Sequence, residues 1–311
     1  MKKLFILATF TMFSFNVHAL MGKPISSSLT EQVCHISVDN NICTAVRISD
    51  DYVLTAQHCV RDTKTLKLRP SLSVRCDRSG VKVLKVIESV GYAYAKEPRP
   101  IHMDFALIQI QPPKKANSIK YQAKLLKNLA EYKSIFLDSA EEISDEVKYN
   151  KFAENTSCEM HGYGLSSDNE KQIKEDQEQE VLKTIAITSR VAYKNASYFM
   201  KVGTLADDLA MINSPVLPTK DRKEKWVHSY ARVGDSGGPL FCKSKSGEWI
   251  LAGITSVMTS YWCPDSEQRD GKSPEVLIAE GWKPKSCKFG TGWGLPTVEA
   301  IEKVLGVRLE N

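Results

Sequence analysis

The sequence predicts an antiparallel all-β barrel or sandwich, and three observations carry that expectation. Short runs rich in β-branched and aromatic residues recur at 33–38, 45–48, 52–55, 81–87, 105–110 and 249–257. Asp, Asn, Ser, Gly and Pro separate them, as turns do between strands. Strands do not alternate with helical stretches, and no repeat of 20–50 residues is visible, which argues against a parallel sheet or a solenoid.

Three segments depart from this texture. Residues 121–132 place Leu125, Leu126, Leu129 and Tyr132 at helical spacing, so a short amphipathic helix is expected there. Residues 166–180 are almost wholly polar and charged, with no hydrophobic period, and read as an exposed loop. Residues 298–309 put Ile301, Val304 and Leu305 on one face behind Pro296-Thr297, which predicts a C-terminal helix over 297–309.

The first residues read as an export signal. Lys2 and Lys3 form a basic start, residues 4–15 are mainly apolar, and Val17-His18-Ala19 is the small-residue pattern cut by signal peptidase. The apolar run is shorter than the roughly 20 residues a membrane-spanning helix needs. Residues 1–19 are therefore expected to be removed, leaving a protein with no membrane segment. The formal net charge of +5 falls by the two lysines to +3, with both signs mixed along the chain. With no concentrated basic patch, nucleic acid is not an expected partner.

The rest of the chain carries eight cysteines: Cys34, Cys43, Cys59, Cys76, Cys158, Cys242, Cys263 and Cys287. An even number behind an export signal points to disulfides formed in an oxidising compartment. The zinc alternative lacks the close Cys-x-x-Cys spacing of common sites, and no His-Glu-x-x-His string occurs. No metal or other cofactor is expected. Counting cannot choose among the roughly one hundred possible full pairings.

Three strings carry the chemistry. Thr55-Ala56-Gln57-His58-Cys59 ends a strand with a histidine, Asp104-Phe105-Ala106-Leu107-Ile108 opens one with a carboxylate, and Gly234-Asp235-Ser236-Gly237-Gly238-Pro239-Leu240 surrounds a serine with glycine. Alone, such a histidine is more often structural, and such an aspartate is more often a cap. The serine string is rarer, because its glycines allow positive φ and close approach of backbone to a ligand. The order His, Asp, Ser is that of one of the convergent catalytic triads.

In these strings the sequence resembles the chymotrypsin/trypsin family over most of residues 20–309. The resemblance implies two packed six-stranded antiparallel barrels, about 20–135 and 150–295, with a catalytic cleft between them. It implies a secreted endopeptidase acting on protein or peptide substrates, open to protein inhibitors. Its base would be His58, its orienting carboxylate Asp104, its nucleophile Ser236, and its oxyanion donors the N–H groups of Gly234 and Ser236. A catalytically silent binding protein on the same fold is the alternative. Cys158 followed by Gly162-Tyr163-Gly164 also fits the family, and His161 within that string has no expected catalytic role. Ser256, Val257 and Met258 resemble the strand on which substrate backbone adds as a further strand. The resemblance pairs Cys43 with Cys59 and Cys158 with Cys242, and favours Cys34–Cys76 and Cys263–Cys287.

The chain also departs from the family. The stretches from Asp104 to Cys158 and from Cys158 to Ser236 are each about 20 residues longer than in compact members, a comparison by likeness of fold. Counting back from Ser236 puts Tyr230 at the pocket floor, where trypsins carry Asp, and Arg232 at a position normally held by cysteine. With Met258 at the wall, small apolar side chains are expected rather than Lys or Arg. Cleavage after Ala19 would expose Leu20-Met21-Gly22. The Leu20 ammonium group is then a candidate partner for Asp235, as the freed N-terminus is in this family. A disordered tail or a short propeptide is the alternative.

Overall fold

The computed structural model describes residues 26–39, 41–62, 64–76, 79–88, 103–112, 122–136, 141–144, 147–149, 157–164, 182–187, 210–212, 231, 233–263 and 285–309. Residues 1–19, expected to be an export signal, Leu20, the charged stretch 166–180, Tyr230 and Arg232 lie outside the described residues. Val257, Met258, Cys263 and Cys287 are described by their backbone alone.

The first half forms seven strands: β1 (Val33–Val38), β2 (Asn41–Arg47), β3 (Tyr52–Thr55), β4 (Leu72–Cys76), β5 (Ser79–Val81), β6 (Val83–Glu88) and β7 (Ala106–Ile110). They make one antiparallel sheet in the order β5-β4-β1-β2-β3-β7-β6. The expected count of six and the observed count of seven are reconciled at Lys82. β5 pairs with β4 through Val74↔Val81, while β6, one residue later, pairs with β7 through Val83↔Ile110. A single strand broken at Lys82 therefore joins both ends of the sheet, and the barrel has almost no exposed edge.

In the second half, β8 (Glu141–Ser144) and β9 (Val147–Tyr149) form a two-stranded ribbon. Six further strands follow: β10 (Cys158–Gly162), β11 (Lys183–Ile187), β12 (Ala210–Ile212), β13 (Pro239–Lys243), β14 (Trp249–Cys263) and β15 (Lys285–Gly294). Their order is β11-β10-β13-β14-β15-β12, antiparallel throughout. The fold is the two-sheet, mostly β architecture that the sequence predicts.

Period-two side-chain alternation explains how the two sheets share a core. On β7, Ala106, Ile108 and Ile110 fill the first barrel with Ile36, Val53 and Val74. The intervening Leu107, with Phe105, faces the other way and packs on Phe241, Leu251 and Ile254 of the second sheet. On β13, Leu240 and Cys242 turn inward to Met160, Ile250 and Trp293, while Phe241 joins the shared layer. These strands are apolar on both faces because each serves two cores. Disulfides Cys34–Cys76 and Cys158–Cys242 each join directly opposed residues of neighbouring strands, and Cys43–Cys59 ties β2 to the turn after β3.

Helices are few. α1 (Gln57–Val60) is one turn. The helix expected over 121–132 forms instead as α2 (Leu129–Phe136). Its start is set by a capping pair: Asn128 Oδ1 accepts from Glu131 N at 2.9 Å, and Glu131 Oε2 accepts from Lys127 N at 2.6 Å. Residues 122–126 run as an irregular connection stitched to both sheets, since Ala123 N donates to Arg47 O and Leu251 N donates to Lys124 O. Leu125 and Leu126 are thus apolar because they cross the interior, and their helical spacing is coincidental. α3 (Val298–Leu305) is capped by Thr297 Oγ1, which accepts from Ala300 N at 3.1 Å. It ends before residue 309 because Gly306 takes a left-handed φ of 66°.

Candidate active site

The site is built from three pieces of chain brought together by the two sheets. β3 ends at Thr55 and turns into α1, which presents His58. Asp104 stands two residues before β7, the neighbour of β3 through Thr55↔Ala106. The pairing of β3 with β7 therefore brings His58 and Asp104 side by side from 46 residues apart. Ser236 comes from the loop before β13 in the second half, and its backbone reaches the first barrel through Thr44 N, which donates to Ser236 O at 2.8 Å.

Asp104 is buried and makes three contacts. Its Oδ1 accepts from His58 N at 3.1 Å, and its Oδ2 lies 2.8 Å from His58 Nδ1. Ser256 Oγ donates to the same Oδ2 at 2.5 Å. An ionised carboxylate can only accept, so Nδ1 must carry the ring proton, leaving Nε2 as the basic nitrogen. The His58 side chain is 24 % exposed, whereas that of Asp104 is 0 % exposed. His58, Ser236, Gly234 and Ser256 line one cleft of about 320 Å³, together with Ile42 and the bridged Cys43 and Cys59. A basic nitrogen, a hydroxyl and backbone N–H groups on one cleft are the parts that acyl transfer needs.

The serine loop has its shape because its glycines cannot be replaced. Gly234 has φ +98°, and a Cβ there would lie 2.7 Å from the Gly164 Cα. Gly237 has φ +80°, and a Cβ there would meet Thr44 O at 2.2 Å. Asp235, fully buried between them, accepts from Gly164 N through Oδ1 at 2.8 Å. A Cβ on Gly162 or Gly164 would run into this carboxylate, at 2.1 and 2.5 Å from Oδ1. Gly162-Tyr163-Gly164 is therefore the bed on which Asp235 rests, a stronger reason for its glycines than a turn alone.

Thr44 is a residue that sequence reasoning missed. Its Oγ1 donates to Gly234 O at 2.9 Å and accepts from Tyr163 N at 3.0 Å. Its own carbonyl accepts from Thr55 Oγ1 at 2.7 Å. One buried threonine thus joins the serine loop, the glycine bed and the strand leading to His58. No local signal marks it, because every partner except Thr55 is more than a hundred residues away in sequence.

Two other histidines serve packing. His161 lies on β10 outside the cleft lining, with Nδ1 2.9 Å from Thr184 Oγ1 and its ring edge on Phe241. Burial lowers its pKa, against the opposing pull of Glu159. His35, opposite Thr44 on β1, meets the Tyr163 ring edge-on at 5.0 Å. Burial and, secondarily, the Arg75 cation push its pKa from 6.5 to about 4.

Of the remaining sequence-predicted site residues, Val257 and Met258 continue β14 beyond its pairing with β13, which ends at Pro239↔Ile254. They pair with β15 on the other side, through Val257↔Gly292 and Met258↔Thr291. Among the described residues no strand pairs with their β13-side edge. No curated protein matches the chain by sequence. The family model Trypsin matches residues 25–277. That span covers well over half of the 311 residues and includes His58, Asp104 and Ser236. By this match, and with the fold and cleft described above, the chain belongs to the trypsin family.

Proposed function

We propose that the protein is a secreted serine endopeptidase that cleaves protein or peptide substrates through an acyl-enzyme on Ser236. The observation that carries this reading is the two-point grip of Asp104 on His58, beside Ser236 on a shared cleft. His58 Nε2 takes the Ser236 proton as Oγ attacks the substrate carbonyl, then gives it to the departing amine. Water, activated by the same nitrogen, releases the acyl group. Asp104 holds the tautomer of His58 and stabilises its imidazolium form. The N–H groups of Gly234 and Ser236 face the developing oxyanion, and one such donor typically contributes about 3–4 kcal/mol.

No strand of the described residues pairs with the β13-side edge at Val257 and Met258, which supports addition of the substrate as a strand there, and the sequence positions of Tyr230 and Met258 favour small apolar side chains in the pocket. Asp235 is the expected acceptor of the Leu20 ammonium group once residues 1–19 are removed. The family resemblance favours Cys263–Cys287 as a fourth bridge, although the register of β14 with β15 sets Cys263 opposite Lys285 and Cys287 opposite Tyr261, one diagonal step apart rather than directly opposed. The three disulfides of the described residues suit an oxidising destination. Casein hydrolysis by wild type and Ser236→Ala tests the reading. Loss of a triad member should lower turnover on the order of 10⁶-fold with the fold intact. Equal rates would remove Ser236 from the mechanism, and no hydrolysis by either would favour a binding protein on this fold.

A further inference from the structure

α1 is one turn long and has no side-chain cap at its N-terminus. A single turn does not hold its own position in water, so tertiary contacts must place it. Several are visible among the described residues: Cys59 is bridged to Cys43, His58 is held by Asp104, Val60 O accepts from Arg69 N at 2.9 Å, and the residues flanking this core are held by Glu88. Glu88 Oε2 accepts from Gln57 Nε2 at 2.8 Å, and Oε1 accepts from Arg61 Nε at 2.9 Å and from Arg61 Nη2 at 2.5 Å. One carboxylate therefore grips the residue before His58 with one oxygen and the residue that closes the turn with the other.

Glu88 is placed to transmit geometry. It ends β6 opposite Ala106 of β7, two residues beyond Asp104. The strand pair that carries Asp104 thus also carries the clamp on the turn that carries His58. The cluster is largely withdrawn from solvent, with side-chain exposures of 7 % for Glu88 and 14 % for Arg61, and Gln57 is fully buried. Charge-assisted hydrogen bonds in such surroundings are short and directional, which suits a positioning role.

We infer that Glu88 is a positioning residue for the proposed reaction, fixing His58 against Asp104 by clamping Gln57 and Arg61. The inference rests on the protease reading above, and its test separates the two. Pre-steady-state acylation by p-nitrophenyl acetate gives a burst whose amplitude counts competent sites and whose rate constant reads their reactivity. The low-field proton resonance of His58 Nδ1–H reports the contact with Asp104 without any turnover.

In Glu88→Ala the burst rate constant should fall about 10²-fold, the scale of a misplacement near 1 Å, and the resonance should shift or broaden. Glu88→Gln should restore the rate constant to within about threefold of wild type. Its amide oxygen can accept from Arg61, and its amide N–H can donate to Gln57 Oε1 once the Gln57 amide turns over. Gln57 Oε1 has no partner among the described residues, so it can take that bond. A residue needed only for stability would lower the burst amplitude and leave the rate constant alone. Should Glu88→Ala fail to fold, Gln57→Met removes one arm and should lower the rate constant about tenfold with a displaced resonance. A wild-type rate constant and resonance in either folded variant overturns the inference. A wild type without a burst defeats the protease reading instead, while the resonance comparison still decides the role of Glu88.

Discussion

Replacing Thr44 with valine keeps the shape of the side chain and deletes one oxygen. That oxygen serves two backbone groups, the Gly234 carbonyl at 2.9 Å and the Tyr163 N–H at 3.0 Å. Thr44 is fully buried, so water cannot readily replace it. Leaving a buried backbone donor or acceptor unmade costs about 1–3 kcal/mol each, and Tyr163 is only partly buried, so the loss should total about 2–4 kcal/mol. The methyl contact with the serine loop survives in valine, as do the backbone bonds of Thr44 to Ser236 and Thr55. Thr44→Ser provides the control: it keeps both hydrogen bonds and loses one methyl, worth about 1 kcal/mol. Urea unfolding of the three proteins measures the difference. Because Gly234 carries an oxyanion donor in the proposed mechanism, its release should also lower kcat by about 10–100-fold, less than outright loss of the donor. If Thr44→Val unfolds within 0.5 kcal/mol of wild type, a difference at the level of ordinary surface changes, the account of Thr44 as the link between the loop and the first barrel is wrong.

Acid sensitivity should depend on His35. Its native pKa of about 4 lies below the 6.5 of an ordinary histidine, so the unfolded chain binds its proton first as pH falls. Native stability should therefore drop between pH 6.5 and about 4, by on the order of 3 kcal/mol, and level off below. His35→Leu should remove that slope, and at pH 7 it should cost little, because neither ring nitrogen has a hydrogen-bond partner among the described residues. Identical acid profiles for the two proteins would show that other groups carry the effect. Activity should also depend on the new N-terminus: a protein beginning at Leu20 should turn over faster than one with two extra residues, and equal rates from intact proteins would rule out the Leu20–Asp235 pair.

What the sequence made legible follows from where its information is local. β1, β3 and β7 could be read because alternation and turn residues lie within each short run. His58, Asp104 and Ser236 could be picked out as candidates because each sits in a string of distinctive residues. The start of α2 was misjudged because the apolar spacing of Leu125 and Leu126 imitates a helix, while the Asn128–Glu131 capping pair sets the true boundary. The end of α3 depended on one glycine, Gly306. Thr44 and Glu88 were invisible because their roles exist only once distant strands pair. The strand count depended on Lys82, where a break in one strand lets it pair on both sides.

The central claim is that Ser236 is a nucleophile activated by His58. A serine-directed organophosphonate tests it most directly, because the reagent reacts with an activated hydroxyl whatever peptide the pocket prefers. Intact-mass and peptide analysis of the treated protein should find one adduct, on Ser236. The same treatment should leave Ser236→Ala and His58→Ala unmodified. A folded wild-type protein that takes up no label at Ser236, or labels equally well without His58, would contradict the account.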